Sequence, residues 1–363
     1  MDILAKLTEE LQIKQWQAEA AVSLIDEGNT IPFIARYRKE KTGSLTDETL
    51  RNLNERLAYL RNLEEKKSQA ISAIEEQGKL TEELKTAIES AETLVAVEDL
   101  YRPYRPKRRT RALIAREKGL EPLAELILSQ KSGNLAAAAT PFISEEKGVA
   151  TVEEALAGAS DILAEQVSDD ADVRTKIRKM TMREGLLTSE AKDEKAESVY
   201  ETYYHFEEPV AKLAGHRVLA INRGEKEKML TVRLDAPTEP ILEWLKRRYI
   251  RKNEPNTTAF LANMLADSYQ RLIAPAIERD IRGELTEKAE DGAIRVFGKN
   301  LNQLLMQPPI AGETVLGWDP AFRTGCKLAV VDPTGKVLDT TVIYPIAPTN
   351  PAKIAAAKET LKN

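Results

Sequence analysis

Residues 46–77 read TDETLRNLNERLAYLRNLEEKKSQAISAIEEQ, and this stretch decides the class of the fold. Leu50, Leu53, Leu57, Leu60 and Leu63 recur at spacings of three and four between Glu, Arg and Lys, which makes one apolar stripe along an amphipathic helix. Gly78 predicts its end, and Thr81 predicts the cap of the next helix. Towards the N-terminus, Leu11, Ile13, Ala18, Ala21, Val22 and Ile25 form a stripe of near-helical spacing that Gly28 stops. A short helix is expected from Pro32, with Phe33, Ile34 and Tyr37 on one side and Arg36, Arg38 and Lys39 elsewhere. Two short helices joined by a small turn read as a helix-turn-helix or as a packing unit only.

Towards the C-terminus the helical texture persists. Pro122 stands where a first helical residue belongs, and Thr151 with Glu154 forms a capping box for a helix through Leu156, Ile162, Leu163 and Val167. The next helix starts near Asp169 or Asp170 and carries Val173, Ile177 and Met180 towards Gly185. Met229 to Leu234 is the first segment that alternates as a strand, and its isolation predicts a minor ribbon. Helices resume through Ile241, Leu242, Leu245 and Tyr249, then through Phe260, Met264, Leu265, Leu272 and Ile273. Ala293, Phe297, Leu301 and Leu304 share a last helical face, ended by Pro308 and Pro309.

At Thr314 the pattern changes. Thr314–Asp319, Cys326–Asp332 and Val337–Tyr344 read as strands, the last two joined by the turn sequence Asp332-Pro333-Thr334-Gly335. Asn350 then caps and Pro351 opens a helix. The expected fold is mainly α: a multi-helical N-terminal region, helix-turn-helix-like plus long helices, followed by an incomplete α/β domain. The divisions drawn are residues 1–78, 79–310 and 314–363.

Composition narrows the functional classes. A chain of 363 residues with 42% hydrophobic residues can build two or three cored domains, and 31% charged against 5% aromatic residues favours helices laced with ion pairs. The net charge of -5 directs any nucleic-acid contact to local patches. Cys326 is the only cysteine, so an internal disulfide and a multi-cysteine metal site are excluded. No apolar run suits a membrane span and the opening residues lack a signal-peptide pattern, from which a cytoplasmic protein without membrane contact is expected.

Positive charge gathers at residues 100–111, LYRPYRPKRRTR. Arg102, Arg105, Lys107, Arg108, Arg109 and Arg111 follow one another with no carboxylate between them. Pro103 and Pro106 are expected to hold the residues before them extended, so that the arginines fan out from a loop able to track a phosphate backbone. Tyr101 and Tyr104, interleaved with them, offer faces for stacking. Two other readings stay open: internal pairing with the acidic helices of this chain, and a polyproline ligand made by Pro103-x-x-Pro106. A second basic patch, Lys246, Arg247, Arg248, Arg251 and Lys252, reads as a further phosphate contact or as a solvated helical face.

Catalytic motifs are missing from the sequence. It has no Walker-type phosphate loop, G-x-G-x-x-G, H-E-x-x-H, C-x-x-C or G-x-S-x-G, and His205 and His216 have no ligand spacing. Asp319 is the single catalytic candidate. It ends an apolar strand in LGWDP, where ribonuclease-H-like nucleases place a first metal-binding aspartate, and two-metal hydrolysis needs further carboxylates around it. The competing reading is a strand-end aspartate that caps the following loop. Asp332 and Asp339 read as turn and edge residues.

Taken together, IPFIARYRKEKTG (31–43), LYRPYRPKRRTRA (100–112), NRGEKEK (222–228) and GWDPAFRTGCKLAVVD (317–332) resemble the Tex family of bacterial transcription accessory proteins over essentially the whole chain. The resemblance implies helical N-terminal domains with a helix-turn-helix-like part and a YqgF-type, ribonuclease-H-like domain that begins near Thr314. In the family, tandem helix-hairpin-helix elements and an OB-fold RNA-binding domain follow; this chain is expected to break off before them. It further implies that the YqgF domain lacks nuclease activity and that much of the nucleic-acid affinity belongs to the OB-fold. The expected function is a non-catalytic, RNA- or DNA-binding accessory factor without cofactor or metal, whose partners are single-stranded RNA or DNA and RNA polymerase or the ribosome. Two alternatives remain: a metal-dependent nuclease or resolvase using Asp319, and a protein-interaction scaffold for polymerase or ribosome.

Overall fold

The computed structural model describes residues 2–106, 109–131, 133–251, 255–308, 310–321, 323–346 and 350–362. The chain forms two compact units, residues 1–290 and 291–363. In the first, α1 (Ile3–Leu11), α2 (Gln15–Asp26), α3 (Ile31–Tyr37) and α4 (Lys39–Thr42) lead into α5 (Asp47–Glu76). The apolar stripe that starts at Leu11 is divided between two helices, because Gln12 takes the left-handed conformation (φ 52°) that ends α1. Thr46 caps α5 by accepting from the Thr49 amide at 3.1 Å.

The leucine stripe of α5 serves two cores. Leu50, Leu53, Leu57 and Leu60 pack with Leu7, Ala21, Leu24 and Ile34. One turn later Leu63, then Ala70 and Ile74, pack with Ile88, Ala91 and Val97. Ile88 and Ala91 come from α6 (Glu82–Ser90), capped by Thr81, and the residue after it, and Val97 comes from α7 (Leu94–Tyr101).

The largest core surrounds α11 (Val152–Asp169), reached through α8 (Arg111–Glu117), α9 (Glu121–Ser129) and α10 (Leu135–Ala139). Thr151 caps α11, accepting from the Glu154 amide at 3.2 Å, while the Glu154 carboxylate reaches back to the Ala150 amide at 2.7 Å. Ala155, Ala159, Ile162 and Leu163 are sealed from solvent. Each burial of this kind contributes about 25 cal/mol per Å² of apolar surface. Asp170 separates α11 from α12 (Ala171–Glu184) and caps the second, accepting from the amides of Asp172 and Val173.

Beyond Gly185 the expected lone ribbon is corrected to a sheet. β1 (Leu186–Ala191) pairs antiparallel with β2 (His205–Pro209) and with β3 (Leu230–Asp235), in the order β2-β1-β3. Ser189 lies opposite Phe206 on one side and Val232 on the other. β2 hides from sequence reading because HFEEP is polar and contains proline, and its pairing is supplied by β1. The helix α13 (Gly215–Lys226) precedes β3; α14 (Thr238–Tyr249), α15 (Pro255–Asp267), a π-helical turn (Ser268–Ile273) and α16 (Ala274–Leu305) follow it.

In the second unit, β4 (Val315–Asp319), β5 (Cys326–Val331) and β6 (Val337–Ile343) form an antiparallel sheet in sequence order, with α17 (Pro351–Thr360) capped by Asn350. Cys326, Leu328, Ile343 and Ala357 make its small core. Leu316, Trp318, Val337 and Leu338 are exposed, as are Phe297, Leu301 and Leu304 of the expected last helical face. No helix among the described residues is long and apolar enough to cross a membrane.

Candidate nucleic-acid interface

The basic stretch is helical at its start, which corrects one expectation. α7 ends at Tyr101 and runs straight into a 3₁₀ turn, Arg102–Tyr104. Arg102, before Pro103, is helical (φ -51°, ψ -43°) because its amide still donates to Glu98, and the Arg105 amide donates to Tyr101 at 3.1 Å. Pro103 sits early in the turn, where its missing N–H leaves nothing unpaired. Arg105, before Pro106, is extended as expected (φ -66°, ψ 133°). Tyr101 and Tyr104 are half-buried and pack against the core of Leu63, Ile74 and Ile88, so their rings also hold the turn in place. Gln77 donates to the Tyr104 carbonyl at 2.9 Å, tying the turn to the end of α5.

Among the described residues, three arginines of this stretch meet a carboxylate. Arg102 Nε lies 3.3 Å from Asp169, Arg105 Nη1 3.3 Å from Glu98, and Arg109 Nη2 3.6 Å from Glu117. Arg111 opens α8 and is exposed; Thr110 caps that helix by accepting from the Leu113 amide. Lys107 and Arg108 lie outside the described residues. Arg102, Arg105 and Arg109 are between a third and three quarters exposed, and pairs of this kind are worth about 0–1 kcal/mol. They are cheap to exchange for another anion.

The second basic patch comes to the same place. On the last turn of α14, Arg248 lies 3.1 Å from Asp170 and 3.4 Å from Asp172, with its guanidinium over the Trp244 and Tyr249 rings. Tyr249 donates its hydroxyl to Asp170 at 3.0 Å. Burial, with the Asp170 carboxylate beside it, pushes the Tyr249 hydroxyl up to about 12. Lys246 pairs with Glu243 at 3.1 Å; Arg247 and Arg251 are exposed, and the Arg251 amide donates to Gln130. Lys252 lies outside the described residues. The junction of α11 and α12 therefore gathers both segments through two consecutive aspartates. Sequence reading saw Asp169 and Asp170 only as helix-start residues; nothing in their spacing tells which distant arginines they meet.

Beneath the first segment is an ionic network with a buried centre and a solvent-reaching edge at Asp280, which sequence reading also missed. Arg174 of α12 lies 2.5 Å from Asp99 of α7, with side chains 2% and 5% exposed. Arg178 meets Asp99 at 2.8 Å, and both arginines reach Asp280 of α16. Arg174 reads as one more polar position on an amphipathic helix, and only the fold turns it inward.

Asp319 ends β4, opposite Lys327 of β5, and is exposed. Asp332 accepts from the Thr334 hydroxyl and amide and from the Lys336 amide, which holds its carboxyl below the usual range. Asp339 accepts from the Thr340 amide at the sheet edge. Among the described residues no three His, Cys, Asp or Glu side chains converge on a point that a metal could occupy. His205 and His216 are exposed, His205 lying 3.6 Å from Glu194.

Residues 1–75 match the family described as Tex-like protein N-terminal domain, 130–297 the Tex central region-like family, and 313–363 the Tex protein YqgF-like domain. The chain is 50% identical over 357 residues to a Bacillus subtilis protein described as uncharacterized protein YdcI, covering 97% of this chain and 50% of that one. It is 42% identical over 361 residues to protein tex of Bordetella pertussis, covering 95% and 46%. It is 33% identical over 359 residues to the human S1 RNA-binding domain-containing protein 1, covering 94% and 36%. The chain spans about half the length, or less, of these curated relatives.

Proposed function

The chain belongs to the Tex family, and we propose that it acts as a nucleic-acid-binding transcription accessory factor that holds single-stranded RNA or DNA without catalysis. One observation carries this reading: in a chain of net charge -5, two arginine-rich segments far apart in sequence converge on the α11–α12 junction. Arg102, Arg105, Lys107, Arg108, Arg109 and Arg111 contact phosphates, and Lys246, Arg247, Arg248, Arg251 and Lys252 extend the track. Binding proceeds by exchange: phosphate oxygens replace carboxylates on arginines that are already extended and partly exposed. Tyr101 and Tyr104 contribute the ring edges that their packing leaves open. The names of relatives support the class, since one is a transcriptional accessory protein Tex and another an S1 RNA-binding domain-containing protein. Polymerase or ribosome, each bearing RNA, is the assembly on which such a scaffold acts. Asp319 serves as a strand-end residue in this reading.

Fluorescence anisotropy with single-stranded RNA tests it. Six phosphate contacts predict a loss of about a thousandfold between roughly 50 and 200 mM salt, and replacing the six basic residues of 102–111 by Gln makes the slope shallower. Absence of binding, or equal binding by the variant, removes the proposal. Retention of a nuclease activity that Asp319→Asn abolishes would remove its non-catalytic part.

A further inference from the structure

The segment IPFIARYRKEKTG (31–43) forms α3 and α4 and carries Arg36, Arg38, Lys39 and Lys41 close together in sequence. Ile34, sealed in the core beside Leu50 and Leu53, fixes which way α3 is turned. Arg36 and Tyr37 are left outside, Tyr37 with 57% of its surface exposed. Phe33 and Tyr37, one helical turn apart, bring their rings to 5.3 Å, and the Arg38 guanidinium lies over the Phe33 ring at 5.1 Å while donating to the Tyr37 carbonyl at 3.1 Å. The result is an ordered cluster of two rings and a guanidinium at the surface, with exposed Lys39 and Lys41 following on α4.

These cations are unpaired in a chain that has carboxylates to spare. Asp and Glu number 58 against 53 Lys and Arg, and each of the three arginines of α5 takes a carboxylate: Arg51 from Asp47, Arg56 from Glu10 and Arg61 from Asp26. Among the described residues no ion pair joins Arg36, Arg38, Lys39 or Lys41 to an acid, and Glu40, the one carboxylate in the segment, pairs with none of them. A phosphate arriving here displaces no internal partner, whereas one arriving at Arg102 or Arg248 must displace an aspartate.

We propose that the α3–α4 surface is a second nucleic-acid contact, one that takes a single strand: Arg36, Lys39 and Lys41 receive phosphates, and a base lies on the open face of Tyr37. Phe33 and Arg38 hold that ring from behind, so little side-chain freedom is lost when the base arrives. A single strand fits because its bases are free to leave their own stack, while those of a duplex are held inside it. The proposal rests on the nucleic-acid reading above for its class of ligand and shares none of its residues.

Anisotropy on the whole chain, with a labelled uridine oligonucleotide of about twelve residues, tests it. Arg36→Gln/Lys39→Gln/Lys41→Gln removes three phosphate contacts from exposed positions and is expected to make the salt slope shallower by about two. Tyr37→Ala is expected to lose about tenfold with the slope unchanged, and Tyr37→Phe, which keeps the ring, to bind as the unsubstituted chain does. Unchanged binding in the triple variant or in Tyr37→Ala overturns the proposal. Equal competition by a polyglutamate of matching length would make this a surface for acidic protein segments and would overturn the nucleic-acid assignment; equal affinity for a duplex would overturn the single-strand one. The two sites fail separately. If the Gln variant of 102–111 flattens the salt slope and the triple variant does not, the α11–α12 junction binds alone and the α3–α4 surface falls; in the reverse case the junction falls and the α3–α4 surface stands. Absence of binding removes both.

Discussion

Asp169 and Asp170, consecutive at the α11–α12 break, each hold an arginine from a different basic segment: Asp169 meets Arg102 at 3.3 Å and Asp170 meets Arg248 at 3.1 Å. These carboxylates compete with any phosphate for the same guanidinium groups. Neutralising both in Asp169→Asn/Asp170→Asn is expected to raise RNA affinity by roughly twofold to tenfold, because each released pair is worth about 0–1 kcal/mol. Asn caps a helix as well as Asp, so the start of α12 survives. Anisotropy titrations read the gain, and a fall in affinity would show that the aspartates position the arginines and do not mask them.

The Asp99 network behaves in the opposite way. Asp99→Ala leaves Arg174 and Arg178 charged and buried with one carboxylate partner lost, and is expected to cost about 3–5 kcal/mol. Arg51→Ala, which removes an exposed pair with Asp47, is the comparison and is expected to cost less than about 1 kcal/mol. Urea melts measure both. A cost for Asp99→Ala no larger than that for Arg51→Ala would mean that the network is hydrated.

Tyr249 gives the fold a limit at high pH. Its folded pKa, about 12, lies above the ordinary value of 10, so the folded state keeps a proton that the unfolded state releases. The stabilisation is therefore complete below pH 10 and is lost as pH rises towards 12, a decline on the order of 2 kcal/mol. Asp170 and Arg248 are the charged groups beside the ring. Tyr249→Phe is expected to cost about 1 kcal/mol at neutral pH and to flatten this decline. Stability curves recorded across that window, beside a tyrosinate absorbance titration, decide it.

Gly43 carries a local constraint. Its φ of +61° ends α4 in the left-handed region, and a Cβ there would overlap the Trp16 ring. Gly43→Ala is expected to cost about 1–3 kcal/mol and to shift Trp16 fluorescence, read in a Trp244→Phe/Trp318→Phe background. An unchanged melting temperature would show that Trp16 swings aside freely.

The helices that were legible carry their own signal: the leucine stripe of 50–63 and the caps Thr81, Thr151 and Asn350 act over three or four residues, whereas α13, which has no side-chain cap, and α1 were not read. The second-unit strands were legible for the same reason, through alternation and the Asp332–Gly335 turn. β1 and β2 were not, since their apolar content is low and their stability comes from pairing with each other and with β3. At the candidate site the arginines could be read, but not their partners. Arg102 helical before Pro103, Arg174 turned inward and Asp170 shared between a cap and Arg248 are all outcomes of tertiary packing, which overrides local preference when a helix end or a buried charge is stabilised elsewhere.

The two-core service of α5 bears on how the chain can be divided. Residues 1–75, the part matched to the N-terminal family, contain nearly the whole of that helix, yet Leu63, Ala70 and Ile74 find their cover only in α6 and α7. An excised 1–75 segment would carry a naked apolar seam on its last four turns, inviting self-association. The ancestral seam of homology and the mechanical seam of the molecule do not coincide, because α6 and α7 cover the last turns of α5 while Asp99 of α7 is in turn held by Arg174 and Arg178 of α12.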